Sequence, residues 1–447
     1  MKGFEQICLG LVLLSTASLW SQVDNTSTAT PAGGDNTDSR MLTPPPVSGQ
    51  SYPTAPTSEE RSNYFRGGLA FTSAYTDNAL GPVNGHPVSD VSYSVYPTLM
   101  LDETTSRLHL ISTYAPGFTF YQRTSYLNEA DQNASIDLQY RLSPHVTFSA
   151  RDGFQKGSNV FNQPDLASAA DVSGGAQQPN FSVIAPIADR LSNSGNVVIT
   201  YQFAANGMVG ANGTFSNLHY PNQSQVPGLY DSSSQGGSGF YSLRVSKKHY
   251  IGATYQYQRL VSYLPVGQNE TQTHALLLFY TLYATSKVSI SFFGGPQHSD
   301  TVQPQLPAEL AWSPAAGASM SWQGRFTTLA VSYSHIISGG AGLIGAVHMD
   351  SASATMRRQM TQRLSGSVAG TYTQNNILGS VPVGYGNGHT LSGTASLQQQ
   401  FGQHISVQLG YTRLSQDYSG VAVLAGTPNT NREFVSISYQ FTRPLGR

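Results

Sequence analysis

The sequence predicts an all-β fold: a transmembrane antiparallel up-and-down β-barrel of about eighteen strands, with about sixteen as the alternative count. From about Tyr64 to Phe441, segments of roughly ten residues alternate apolar and polar side chains, the period of a strand with one apolar and one polar face. The connections between segments are alternately very short and long, so the meander has two different ends. Charged residues make up only 11% of the chain, against roughly 25% in soluble domains. An outer belt facing lipid explains that deficit.

The N-terminal segment stands apart from this pattern. Lys2 precedes the apolar run Ile7-Cys-Leu-Gly-Leu-Val-Leu-Leu14, so residues 1–22 read as a secretory signal peptide. Cleavage after Ala17 and cleavage near Ser21 or Gln22 are both compatible with the pattern. Cys8 is the only cysteine and comes too early in the run for a lipoprotein anchor. The mature chain is therefore expected to lack disulfides and cysteine metal sites. Residues 23–62 are rich in Thr, Ser, Pro, Gly, Asn and Asp, and read as a disordered linker. Residues 63–447 are assigned to the barrel.

Within the barrel, tight turns are expected at Asp102–Ser106, Ser143–His145, Ala205–Gly207, Lys247–His249, Thr285–Ser286, Gln323–Gly324, Thr361–Gln362 and Gly402–Gln403. Asn-Gly, Ser-Pro and Gly pairs have backbone reasons to occur there. Longer connections are expected near 77–89, 122–131, 158–192, 221–236, 264–270, 298–309, 339–346, 376–386 and 417–428. With one more long connection than short ones, both chain ends lie on the short-turn side. For a secreted chain that side is the periplasm, and the barrel belongs in a bacterial outer membrane.

Register can be tested by asking which pairing sorts the faces. Centring the hairpin on Pro144 sets Leu138 against Ala150 and Tyr140 against Phe148 outside, with Gln139 against Ser149 and Arg141 against Thr147 inside. Centring the next test on Gly402 sets Leu397 against Val407 and Ala395 against Leu409, with Gln398 against Ser406 and Ser396 against Gln408. A slip of one residue would invert every face. Tyr140, Phe148, Tyr201, Phe203, Tyr411, Tyr439 and Phe441 fall outward, where interfacial aromatics belong. A soluble sandwich or propeller would also bury such residues, but no blade repeat is present.

The lumen is expected to be mostly Ser, Thr, Gln and small residues. Asp137 reads as the only acidic residue deep in a strand, directly facing Arg151. The pair is either a wall salt bridge that fixes register or part of solute selection. Arg107, His109 and Arg141 extend a basic stripe on the same wall, and Arg244 and Arg357 point inward elsewhere. Such charges either tune ion passage or are simply tolerated in a wet lumen. No catalytic, cofactor or metal residues are assigned, because neither a Gly-x-Ser-x-Gly elbow nor a His-Glu-x-x-His spacing occurs. A net charge of −1 argues against nucleic acid as a partner.

The connection 158–192 is the longest and carries Val160-Phe161 and Phe181-Ser-Val-Ile-Ala-Pro-Ile187, apolar groups that would seek cover in the barrel mouth. In this the chain resembles the bacterial porins, whose third loop folds inward and narrows the channel. The resemblance covers about residues 64–441 and is one of architecture. It implies passive passage of small hydrophilic solutes, with Asp165, Asp171 and Asp189 facing the basic wall. The chain departs from typical porins in running past Phe441 to Arg447 and in its strand count. The alternatives are a conduit for exopolysaccharide, which needs an open mouth, and a structural or adhesion barrel with a closed lumen. Partners are then membrane lipid and either small solutes or polysaccharide. Oligomeric state is not legible.

Overall fold

A computed structural model describes residues 63–79, 87–158, 188–265, 267–285, 287–304, 306–340, 342–343, 345–379, 387–419 and 429–444. Each of eighteen strands pairs antiparallel with the next, and β1 (Tyr64–Thr76) closes the barrel against β18 (Thr430–Pro444). Between them run β2 (Asp90–Thr104), β3 (Leu108–Tyr121), β4 (Glu129–Arg141), β5 (Val146–Gly157) and β6 (Arg190–Ala204). The next group is β7 (Gly207–His219), β8 (Asp231–Arg244), β9 (His249–Leu264), β10 (Gly267–Thr285), β11 (Val288–Val302) and β12 (Glu309–Gln323). The last is β13 (Thr327–Gly339), β14 (Ala346–Gln359), β15 (Leu364–Ile377), β16 (Gly388–Phe401) and β17 (Ile405–Tyr418). Closure leaves the sheet without an outer edge, the condition for crossing lipid with strands.

The two faces sort as alternation requires. Large apolar side chains such as Ile136, Leu276, Leu278, Phe292, Leu409 and Ile437 stand exposed on the outside. Trp312 and Trp322 share the outer face of β12 ten positions apart, which spans about 25 Å of height for strands tilted by roughly 40°. That matches the apolar band of a membrane barrel. On the inner face, hydroxyls meet directly across neighbouring strands. Ser94 and Thr119 lie 2.9 Å apart, as do Thr281 and Ser291 and Thr72 and Ser436. Ser332–Ser353, Ser367–Ser396 and Ser406–Ser438 repeat this at 2.7, 2.8 and 2.7 Å. Each rung satisfies polar atoms within the wall itself.

Glycines serve as seats for aromatic rings on the next strand. Gly252 faces Phe279, Gly210 faces Phe240 and Gly317 faces Phe293. A Cβ on these glycines would lie 2.3, 2.3 and 2.2 Å from the facing ring. The rings lie flat over bare backbone, a cross-strand device that pins register.

Three expectations need correction. The connection near 264–270 is a tight turn: Leu264 pairs with Gly267, and β9 and β10 form the longest hairpin. Its upper part, from Gln268 to Thr273, is polar on both faces, so alternation could not mark it as strand. At Gly402 the true partners are Leu397–Leu409 and Gln398–Gln408, two residues from the expected register. Gly402 at φ +73 opens a turn that also takes in Gln403 and His404. The faces survive because the shift is even. Finally, the lumen is not uniformly polar. Met208, Phe240, Tyr250, Phe279 and Tyr283 form a buried cluster with Phe293 on the inner wall from β7 to β11. The run Ala275–Ala284 signals this, being apolar on both faces.

Candidate functional site

The hairpin register places Asp137 directly opposite Arg151, with Leu138 on Ala150 and Tyr140 on Phe148. Ile136, Tyr140 and Leu142 are exposed on the outer face, so Asp137 and Arg151 occupy the inner one, where both are exposed. They nevertheless form no ion pair. Two solvent-exposed side chains gain little by closing on each other.

Asp137 is not the only acidic residue in the wall. Asp102 is buried on the inner face of β2, 3.3 Å from His109 Nε2. β2 runs on to Thr104, past the residues expected to turn. Asp131 is buried on β4. Arg107 lies in the turn before β3, where its carbonyl accepts the Arg141 N–H at 2.7 Å. Arg141 ends β4. Arg244 donates to Asn206 Oδ1 at 2.8 and 3.0 Å and to the Ala205 carbonyl at 2.9 Å, clamping the turn between β6 and β7. Arg357 is half-buried and faces Ser367 across β14 and β15. The basic residues Arg107, His109, Arg141 and Arg151 thus share the β2–β5 wall with the acids Asp102, Asp131 and Asp137.

Of the constriction candidates, Asp165 and Asp171 lie outside the described residues. Asp189 is described, and it accepts from Ser158 Oγ at 2.7 Å at the base of that connection.

The mouth is narrowed by a different element. Above Ala316–His335 β13 parts from β12, and the tip of the β13–β14 hairpin leans over the inner face toward β9 while β14 stays paired with β15 up to Val347–Ile377. Ile337 packs with Leu260 of β9, Ala346 and Leu378. Ser262 on β9 accepts the Gly345 N–H at 3.1 Å and donates to the Leu343 carbonyl at 3.4 Å. The Gly342 carbonyl accepts the Tyr230 N–H at 2.7 Å. Leu343 and Val347 join Leu218, Tyr220, Val226, Leu229 and Tyr418 in one buried cluster. Gly342 and Gly345 take φ +100 and +88, conformations that other residues rarely adopt. Their α-carbons approach Tyr220 and Asn269 too closely for a Cβ.

The connection from β7 to β8 supports this lid from the other side. Asp231 accepts the Tyr220 N–H at 2.8 Å and contacts His219 Nδ1 at 2.6 Å. Burial pushes the Tyr220 phenol up to about 12, so it stays protonated. The glycine-rich, apolar stretch Ile336–Val347 was the available sequence signal. Read as a loop alone, it gave no reason to point inward. An open mouth, the requirement of a polysaccharide conduit, is not the arrangement of the described residues.

No protein-family model matches the chain, and no curated protein matches it. Among solved structures it is similar to OpdQ of Pseudomonas aeruginosa, at 11% identity and TM-score 0.42 over 86% of this chain and 99% of that one. Acinetobacter baumannii OccAB4 gives 8% and 0.42 over 86% and 99%. The siderophore receptor PirA from Pseudomonas aeruginosa gives 11% and 0.41 over 86% and 81%. Values this low carry no functional argument.

Proposed function

We propose that the protein is an outer-membrane channel for passive passage of small hydrophilic solutes. The observation that supports this most directly is the exposure of Asp137 and Arg151 on the inner wall of β4 and β5. A charged pair that stays hydrated inside a barrel marks a wet path. Hydroxyl rungs around the rest of the inner face offer solutes hydrogen bonds without strong charge. In this reading the apolar β7–β11 wall and the inward hairpin narrow the lumen, and solutes pass on the β3–β5 side. Residues 1–22 serve as an export signal, and residues 23–62 lie in the periplasm with the short turns. The barrel carries no chemistry of its own.

Planar-bilayer recording of the refolded barrel tests the proposal. Stepwise ohmic conductance, reduced by solutes that compete for the path, is the expected result. A folded barrel that inserts without conducting would leave the structural reading in its place.

A further inference from the structure

β12 and β13 separate partway up the wall. Their ladder begins at Gln323 and Thr328 near the short-turn end and stops at Ala316 and His335. Yet β12 continues to Glu309 against β11, and β13 continues to Gly339 against β14. Pro314 accounts for the break. It faces Pro296 directly across β11 and β12, inside a ladder that continues on both sides. Neither proline has an N–H. The pair must therefore be of the kind in which both residues turn their amide positions and carbonyls to the opposite edges. Pro314 thus presents its missing donor to β13. The same logic puts the missing donor of Pro296 on the β10 side. There the ladder skips from Ala275–Gln297 to Leu278–Gly294.

Continuing the β12–β13 register would set Ile337 against Pro314. The Ile337 N–H would reach the Pro314 carbonyl, but the Ile337 carbonyl would find no donor. In the structure that N–H goes instead to Gln297 Oε1 on the inner face of β11, at 3.3 Å. Ser262 holds the hairpin's tip further in. At the point of separation, on the outer face, Asp350 accepts from Tyr333 Oη at 2.8 Å and contacts His335 Nδ1 at 2.8 Å. These contacts tie β13 to β14 just below the point of separation, and β14 is paired in turn with β15 up to Val347–Ile377, so the tops of the three strands move together.

We propose that the β13–β14 tip, carried on the upper part of β15, is a gate with two seats and that β13 is its free edge. The inward seat is the one seen here, latched by Gln297 and Ser262. The outward seat lies in the wall, against the free edge of β12 from Glu309 to Ala315. Pro314 keeps that seat the weaker by withholding one donor, and the hinge is Ala316–His335. The inference deepens the channel reading, since outward movement would widen the path that reading assigns.

The test uses the full mature chain with Ser313→Cys and Ser338→Cys. These positions become direct neighbours on the inner face only when the seam closes, in the non-hydrogen-bonded class of pair that suits a disulfide. Crosslinking under mild oxidant should be slow in this background and clearly faster when Pro314→Thr supplies the donor. Gln297→Leu, which removes one of the two latches and leaves the seam untouched, should act in the same direction. Single-channel conductance should rise about twofold or more in both variants, because the narrowest section governs it. If neither variant speeds crosslinking in barrels that remain folded, the gate is refuted. Faster crosslinking in a barrel that never conducts would uphold the gate and refute the channel.

Discussion

Asp137 and Arg151 stand directly opposite each other on the inner wall without forming an ion pair. The backbone sets them opposite each other, and both side chains stay exposed to solvent. If the barrel conducts as proposed, each acts on passing ions as a separate charge. Asp137→Asn should leave unfolding unchanged but shift the reversal potential under a salt gradient toward anion selectivity, with Arg151 and Arg141 uncompensated. An unchanged reversal potential in a conducting barrel would remove this wall from the path.

The outer face makes a sharper energetic prediction. Leu409 is 52% exposed and faces Leu397 and Val435, whereas Gln408 faces Gln398 and Ser436 inside. Leu409→Arg should cost about 2–4 kcal/mol near the bilayer midplane, and Gln408→Arg far less. Reversible denaturant unfolding in lipid vesicles measures both. Equal costs would mean that the outer face is not in lipid.

Glycine seats should be separable from merely permissive glycines. A Cβ at Gly317 would lie 2.2 Å from Phe293, while one at Gly213 meets nothing within 4 Å. Gly317→Ala is expected to cost about 1–3 kcal/mol through overpacking. Gly213→Ala should be neutral or stabilising by roughly 0.5 kcal/mol, since alanine loses less entropy on folding. The same unfolding assay decides the matter.

The hairpin tip depends on its backbone. Gly342 takes φ +100, and a Cβ there would lie 2.8 Å from Tyr220 Oη. Gly342→Ala should cost about 1–3 kcal/mol locally. Because the barrel wall does not depend on this residue, the expected result is an intact barrel with a displaced tip and a higher conductance. A variant with wild-type conductance would show that the tip does not narrow the path.

The strands were legible wherever one face meets lipid and the other meets water. The Leu138–Ala150 and Tyr140–Phe148 pairing follows from alternation alone because the turn between them is short and the faces differ. Alternation fixes only the parity of a register, so at Gly402 it gave the right faces and partners two residues off. It is silent where both faces are alike, as in the polar top of the β9–β10 hairpin and the apolar run Ala275–Ala284. Asp102 was hidden by turn-forming neighbours, although its burial against His109 is a tertiary fact. Pro314 was visible in the sequence, but its effect depends on which edge its nitrogen faces. That requires Pro296 as the opposite residue, a pairing no local pattern contains.

The central claim is that the inner wall beside Asp137 is a water-filled path through the barrel. Cysteine substitution tests it most directly, because Cys8 is the only native cysteine and lies in the expected signal peptide. Arg151→Cys places a thiol on the inner face, and Ala150→Cys places one on the outer face of the same strand. A charged, membrane-impermeant thiol reagent added during planar-bilayer recording should change the conductance of the first variant in discrete steps and leave the second untouched. Equal responses, or none at position 151 in a conducting barrel, would contradict the account.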